Sequence, residues 1–231
     1  VPACLELLAA ADAAARGTVE KTLGAVCARG GDPALAPVLA GLTGPDAALR
    51  GSLVRVLAQA ASPAALNAVV AALQDPDGAV SEEALRALSE WRTPDALPHL
   101  RALAAGADEG RHILGLRGFI RLAQTEPDLG KRQTLLDDAS TLVKRVEETR
   151  RLLAAWGKTP TVHALDTLTA CLDQGDARDE AAAAVVSLAP ELAKQGAEQK
   201  ERARAALALV GEKTANASIR ERAARAAAAL Q

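Results

Sequence analysis

Three histidines, three cysteines and acidic pairs such as Asp137-Asp138 and Glu147-Glu148 are the residues from which this chain could assemble a reactive centre. A metal or general acid–base site needs several such groups converging on one point, and on a helix that means i, i+3 or i, i+4 spacing. His99, His112 and His163 stand far apart and form no such pair with one another, so they read as surface or half-buried polar residues. Cys4, Cys27 and Cys171 show no CxxC or zinc-type spacing. Cys4 and Cys27 fall on consecutive helices at similar heights, which leaves open a disulfide or, the preferred reading, two small core side chains. Asp137-Asp138 and Glu147-Glu148 are neighbours on helices. Adjacent side chains diverge by about 100° around a helix axis, so neither pair can grip one atom, and both read as solvated faces. GxSxG, GxGxxG and GxxxxGK(S/T) motifs do not occur. The chain therefore reads as a non-enzyme, with no catalytic residue, cofactor or metal ligand to nominate.

The elements that carry these residues are helical throughout. Ser62 to Arg92 is the clearest unit. Ser62-Pro63 opens a helix with Leu66, Val69, Val70 and Leu73 at helical spacing, because Ser caps well and Pro tolerates the first position. Asp75-Pro76-Asp77-Gly78 breaks it, and a second helix follows with Val80, Ala84, Leu85 and Leu88 on one face. One such hairpin leaves an apolar face bare. Aromatic residues make up 1% of the chain, too few for one large globular core but suited to thin layers of stacked helices.

Prolines mark the repeat. Pro2, Pro33, Pro63, Pro94, Pro127, Pro160 and Pro190 recur at intervals of 31, 30, 31, 33, 33 and 30 residues. They divide the chain into units of about 1–31, 32–61, 62–92, 93–126, 127–159, 160–189 and 190–231, with breaks expected at Gly17-Thr18 and Gly30-Gly31 and the last unit as a polar cap. Two columns run through the second helices. Asp46, Asp77 and Asp108 recur at helix starts and read as N-caps, while Arg55, Arg86 and Arg117 follow nine residues later, with Arg151 continuing the series. Gly115 and Gly118, one turn apart, predict a close helix–helix approach.

The helix pairs of about 31 residues, the Pro-initiated first helix, the Asp-Pro-Asp turn and the two columns together resemble HEAT repeats, and most closely the short bacterial type described in phycobilin lyases. The resemblance implies an all-α fold: a right-handed α-α superhelix, or solenoid, of about seven stacked antiparallel helix pairs, HEAT-like and forming one domain over 1–231. It implies that the Asp and Arg columns tie one repeat to the next, with Arg151 the member most suited to a surface contact. The run from Arg111 to Leu188 also resembles repeat segments of large secreted or periplasmic proteins of planctomycete-type bacteria. Compartment is thus cytoplasmic or periplasmic/secreted, the latter favoured by that resemblance, and the polar C-terminal unit against a less polar first hairpin suggests that more chain precedes Val1.

Function follows from surface and charge. Lys and Arg total 27 against 29 Asp and Glu, a net charge of −2, which argues against a general phosphate-backbone binder. The leading expectation is a monomeric, non-catalytic protein-interaction scaffold whose concave face is formed by the second helices. Its partner would be a protein segment or a neighbouring domain of a longer chain, with no nucleic acid and no membrane span. Candidate partner-binding residues are Arg50, Arg86, Glu90, Arg121, Arg151, Arg178, Trp91 and Trp156, with Arg55 and Glu83 on the same face. The two tryptophans could anchor a partner or, preferred, plug the joints between units. Alternatives are a HEAT-fold DNA glycosylase or nucleic-acid binder, a phycobilin lyase-like protein, and a spacer arm.

Overall fold

The computed structural model describes residues 1–230, and every regular element among them is helical. The chain forms two compact units, Val1–Gly118 and Phe119–Gln231. The first contains α1 (Pro2–Ala10), α2 (Ala13–Gly41), α3 (Ala47–Ala60), α4 (Pro63–Ala72), α5 (Gly78–Ser89) and α6 (Leu97–Ala105), the last entered through a 3-10 turn at Pro94–Ala96. Next comes α7 (Glu109–Ala123), within which the second unit begins. The second unit continues with α8 (Leu129–Ser140), α9 (Val146–Trp156), α10 (Val162–Ala170), α11 (Arg178–Ala193), α12 (Ala197–Lys213) and α13 (Ala217–Ala229). This is an all-α architecture of successive helix pairs, the solenoid class.

Local chemistry explains where the helices start. Asp46 Oδ1 accepts from the amides of Ala48 and Leu49, Asp77 Oδ1 from Ala79 and Val80, and Ser62 Oγ from Ala65. Each satisfies donors that a first helical turn leaves unpaired. Pro63 sits at the first position of α4, and Pro98 at the start of α6. Packing then joins the pairs. In the first unit α3 packs on α2, α4 and α5, and it is buried nearly all round through Gly51, Ser52, Leu53, Val54, Val56 and Leu57. In the second, α11 packs on α9, α10, α12 and α13 through Ala181, Ala182, Val185, Leu188, Ala189 and Leu192. The outermost helix of that unit, α13, buries only Ile219 and Ala223, as a polar terminal face requires.

Small residues set the helix spacing. A Cβ added to Gly115 would lie 2.7 Å from Leu103 Cβ and 2.9 Å from the Leu100 carbonyl oxygen, and one on Gly118 would lie 2.7 Å from the Ser89 carbonyl oxygen. The glycine pair therefore brings α7 into backbone contact with α6 and the end of α5. Gly157 plays the same part in the second unit, where a Cβ would meet Ala184 at 2.9 Å.

Several sequence expectations need correction. Gly17-Thr18 does not end a helix but lies inside α2, and the chain turns at Ala11-Asp12. Asp12 Oδ1 caps α2 by accepting from Ala14 and Ala15, which outweighs the cost of about 1 kcal/mol for one internal glycine. The next expected break is present: Gly31, at φ 61° and ψ −155°, divides α2 into two helices, a conformation that glycine alone adopts readily. Pro190 opens no helix. It lies in the last turns of α11, held there by packing on four neighbours, and the chain turns instead at Gly196 with φ 153°.

His112 is buried, not superficial, and its Nδ1–H donates to the Ala104 carbonyl. Glu148 is likewise no solvated carboxylate: it is buried, with Oε2 accepting from the amides of Lys144 and Arg145 to start α9. Asp137 is paired with His163 Nε2 at 2.8 Å. Cys4 and Cys27 are both free thiols. Cys27 is buried with Sγ 3.6 Å from the Ala34 carbonyl oxygen, and burial pushes its thiol pKa up.

Two glycines should respond in opposite ways. Gly17 is exposed on a helix with nothing within 4 Å, so Gly17→Ala should raise stability by about 0.5–1 kcal/mol in chemical denaturation. Gly115→Ala should lower it by about 1–3 kcal/mol, because backbone atoms of α6 cannot yield to the new methyl group.

Candidate interaction groove

The second helices of the first unit carry an alternating chain of charges. Arg55, on α3, donates through Nε and Nη2 to Glu20 of α2 at 2.9 and 2.6 Å, and Nη1 lies 3.1 Å from Glu83 of α5. Ser52 Oγ adds a third acceptor at 3.1 Å. Glu83 also lies 3.8 Å from Arg86, whose other nitrogen sits 3.2 Å from Glu82. Burial alone would raise the Glu20 pKa, but the hydrogen bonds from Arg55 and Ser52 overcome that and hold it below the usual carboxylate range. Glu20, Arg55, Glu83 and Arg86 thus link three helices in sequence.

Beyond this chain α3, α5 and the beginning of α7 border an open groove of about 610 Å³. Its charged lining is Arg55, Glu83, Arg86, Glu90, Arg92 and Arg117, over Ala58, Ala87 and Leu114. Arg86 is 63% exposed, and Glu90, Arg92 and Arg117 are exposed as well. Arg55, Arg86 and Arg117 of the Arg column therefore end up on one surface, and Arg151 is not part of it.

Other nominated residues are held elsewhere. Arg50 is nearly enclosed, with a side-chain exposure of 11%, and binds Asp75 with two nitrogens at 2.9 and 2.8 Å while donating to the Gly44 carbonyl at 2.9 Å. Arg178 Nε donates to the Leu172 carbonyl at 2.8 Å, closing the turn before α11. Trp91 is 1% exposed and its indole N–H donates to Thr93 Oγ1 at 2.9 Å. Trp156 is equally buried, with its ring 5.4 Å from that of His163 and its indole N–H without a partner among the described residues. Arg121 is half-buried on α7 and Arg151 is exposed on α9. Of the eight candidates, Arg86 and Glu90 line the groove.

The Asp–Arg ladder implied by the resemblance takes another form. Asp46 and Asp77 spend their carboxylates on their own helix ends, about 13 Å along the axis from the arginines nine residues on. Glutamates answer Arg55 and Arg86 instead, and Asp75 is the Asp that meets an arginine of the preceding repeat, Arg50. A further column went unread in the sequence: Arg50, Ser81 and His112 each follow a capping Asp by four residues. Each bonds back to a carbonyl at or just beyond the end of the preceding helix, Gly44, Leu73 and Ala104 respectively. The interval of 31 residues was visible, but three unlike side chains hid the shared role.

Comparison with known proteins agrees with this construction. Residues 35–114, which run from the second half of α2 to α7, match the family model for HEAT repeats. No curated protein matches the chain. A crystal structure of an engineered protein aligns over 98% of this chain and 94% of its own, with 18% identity and a TM-score of 0.26. A designed armadillo repeat protein aligns over 100% and 99%, with 19% identity and a TM-score of 0.26. Scores that low add nothing to the fold described above. This is an all-α helical-repeat protein with HEAT-type repeats over residues 35–114.

Two measurements separate interior from surface. Trp91→Ala should cost about 3–5 kcal/mol by opening a cavity, whereas Arg86→Ala at its exposed position should change stability by no more than about 0.5 kcal/mol. The Glu20–Arg55 pair should make stability acid-sensitive. Because the folded carboxylate titrates below its unfolded value of about 4.3, its contribution is complete above that pH and is lost as pH falls through the depressed folded value. The urea midpoint should therefore fall less between neutral and acid pH in Glu20→Gln than in the unmodified chain.

Proposed function

We propose that this protein is a non-catalytic scaffold that holds a protein segment, or a neighbouring domain of a longer chain, against its row of second helices. The observation that carries this reading is the groove along α3, α5 and α7, whose rim presents Arg86, Glu90, Arg92 and Arg117 to solvent. Interior arginines such as Arg50 and Arg178 are engaged within the repeats, whereas Arg92 and Arg117 are exposed at the groove. Mixed charge over an apolar floor suits a polypeptide, which offers both charged and apolar side chains. The scaffold acts as a monomer, with residues 1–231 as one repeat domain.

A DNA glycosylase of this repeat type would need a basic cleft and an accessible Trp. Trp91 and Trp156 are buried and the net charge is −2, so this reading is the weaker one. No helix among the described residues is long and apolar enough to cross a membrane.

Photo-crosslinking residues placed at Glu90 and Arg117 should capture protein in host extract, while one at exposed Asp95 should not, and Arg86→Glu should abolish the capture. Capture of nucleic acid alone, or equal capture at all three positions, would overturn the scaffold reading.

A further inference from the structure

We infer that the groove along α3, α5 and α7 receives an acidic protein segment, a choice that rests on the scaffold reading and names its partner class. The lining holds four arginines, Arg55, Arg86, Arg92 and Arg117, against two glutamates, Glu83 and Glu90. The local balance is thus +2 (four minus two), opposite in sign to the −2 of the whole chain. The groove lining is thus locally positive on a slightly acidic protein.

The balance of engaged and available groups points the same way. Glu83 is shared between Arg55 and Arg86, and Arg55 is further neutralised by Glu20 behind it. Glu82, the other partner of Arg86, faces a different depression beside Asp108 and Arg111. That leaves Glu90 as the lining carboxylate without an ion pair, against Arg92 and Arg117 without one among the described residues. The Arg86–Glu82 pair is 63% and 69% exposed, a geometry of little net strength in water, so an incoming carboxylate can replace it. Guanidinium groups take carboxylates with two parallel hydrogen bonds, a match that amide or ammonium side chains cannot make. The floor of Ala58, Ala87 and Leu114 adds room for small apolar side chains between the acidic ones.

Nucleic acid is also anionic but fits less well. The lining has no aromatic ring to stack a base, and Glu83 and Glu90 would face the phosphates.

The test uses the full chain and labelled peptides of equal length, followed by fluorescence anisotropy at low and at physiological salt. One peptide alternates Glu with Ala, one replaces Glu by Gln, one replaces Glu by Lys, and a single-stranded oligonucleotide serves as the other polyanion. The Glu peptide should bind at least about tenfold more tightly than the Gln or Lys forms, and more weakly as salt rises. Arg92→Glu with Arg117→Glu should reduce that affinity at least about tenfold, while Arg92→Lys with Arg117→Lys, which keeps the charge but loses the paired hydrogen bonds, should reduce it less. Helical circular dichroism checks that these exposed substitutions leave the fold intact. Equal binding of the Gln or Lys peptide, tighter binding of the oligonucleotide, or indifference to charge reversal would overturn the acidic assignment. Protein capture at Glu90 and Arg117 without binding of the Glu peptide would leave the scaffold reading standing and the acidic assignment refuted. Failure of both would refute the two together.

Discussion

Close backbone approach is the constraint from which the rest of this structure follows. A chain in which 1% of residues are aromatic has little volume with which to fill a gap between helices, so its helices must come near enough for alanine and glycine to touch. Gly115 and Gly118 let α7 reach the carbonyls of α6 and α5, and Gly157 meets Ala184 in the second unit. The few large side chains, Trp91, Trp156 and Phe119, are buried. Each helix pair buries too little by itself, and the apolar face it leaves bare is covered by the next pair.

That tight spacing also determines what the polar residues do. Where helix ends crowd together, carbonyls are cut off from water and must be answered. Arg50, Ser81, His112 and Arg178 answer them, three side-chain types doing one job of reaching back over a turn. Arg50 and Arg111 also reach between repeats, to Asp75 and to the Leu73 carbonyl. Guanidinium suits this work because its donors are fixed in a plane and its stem packs against apolar neighbours. The arginines thus fall into two classes that composition cannot separate: those consumed in closing turns, and those such as Arg86, Arg92 and Arg117 left at a groove.

Much of the fold was legible from punctuation. Ser62-Pro63, Asp75-Pro76-Asp77 and Gly31 act through the backbone of their own or adjacent residues, so their effect can be read without a partner. Errors arose where a local signal met a stronger one. Gly17 yielded to the Asp12 cap, and Pro190 yielded to the packing around α11. The candidate site was legible in part: the period of 31 residues placed Arg55, Arg86 and Arg117 in one column, but nothing in it named Glu20 as a partner or Arg92 as a neighbour.

The sequence by itself determined the helical class, the length of the repeating unit and the caps, because each depends on contacts within a few residues along the chain. Only the tertiary structure decided which charges are spent and which remain available. Arg50 and Arg86 are the same residue type on successive second helices, yet one is enclosed by Asp75 and the Gly44 carbonyl while the other is 63% exposed. That difference is set chiefly by Asp75, 25 residues from Arg50, which packing brings within hydrogen-bond reach, and no local rule encodes that distance.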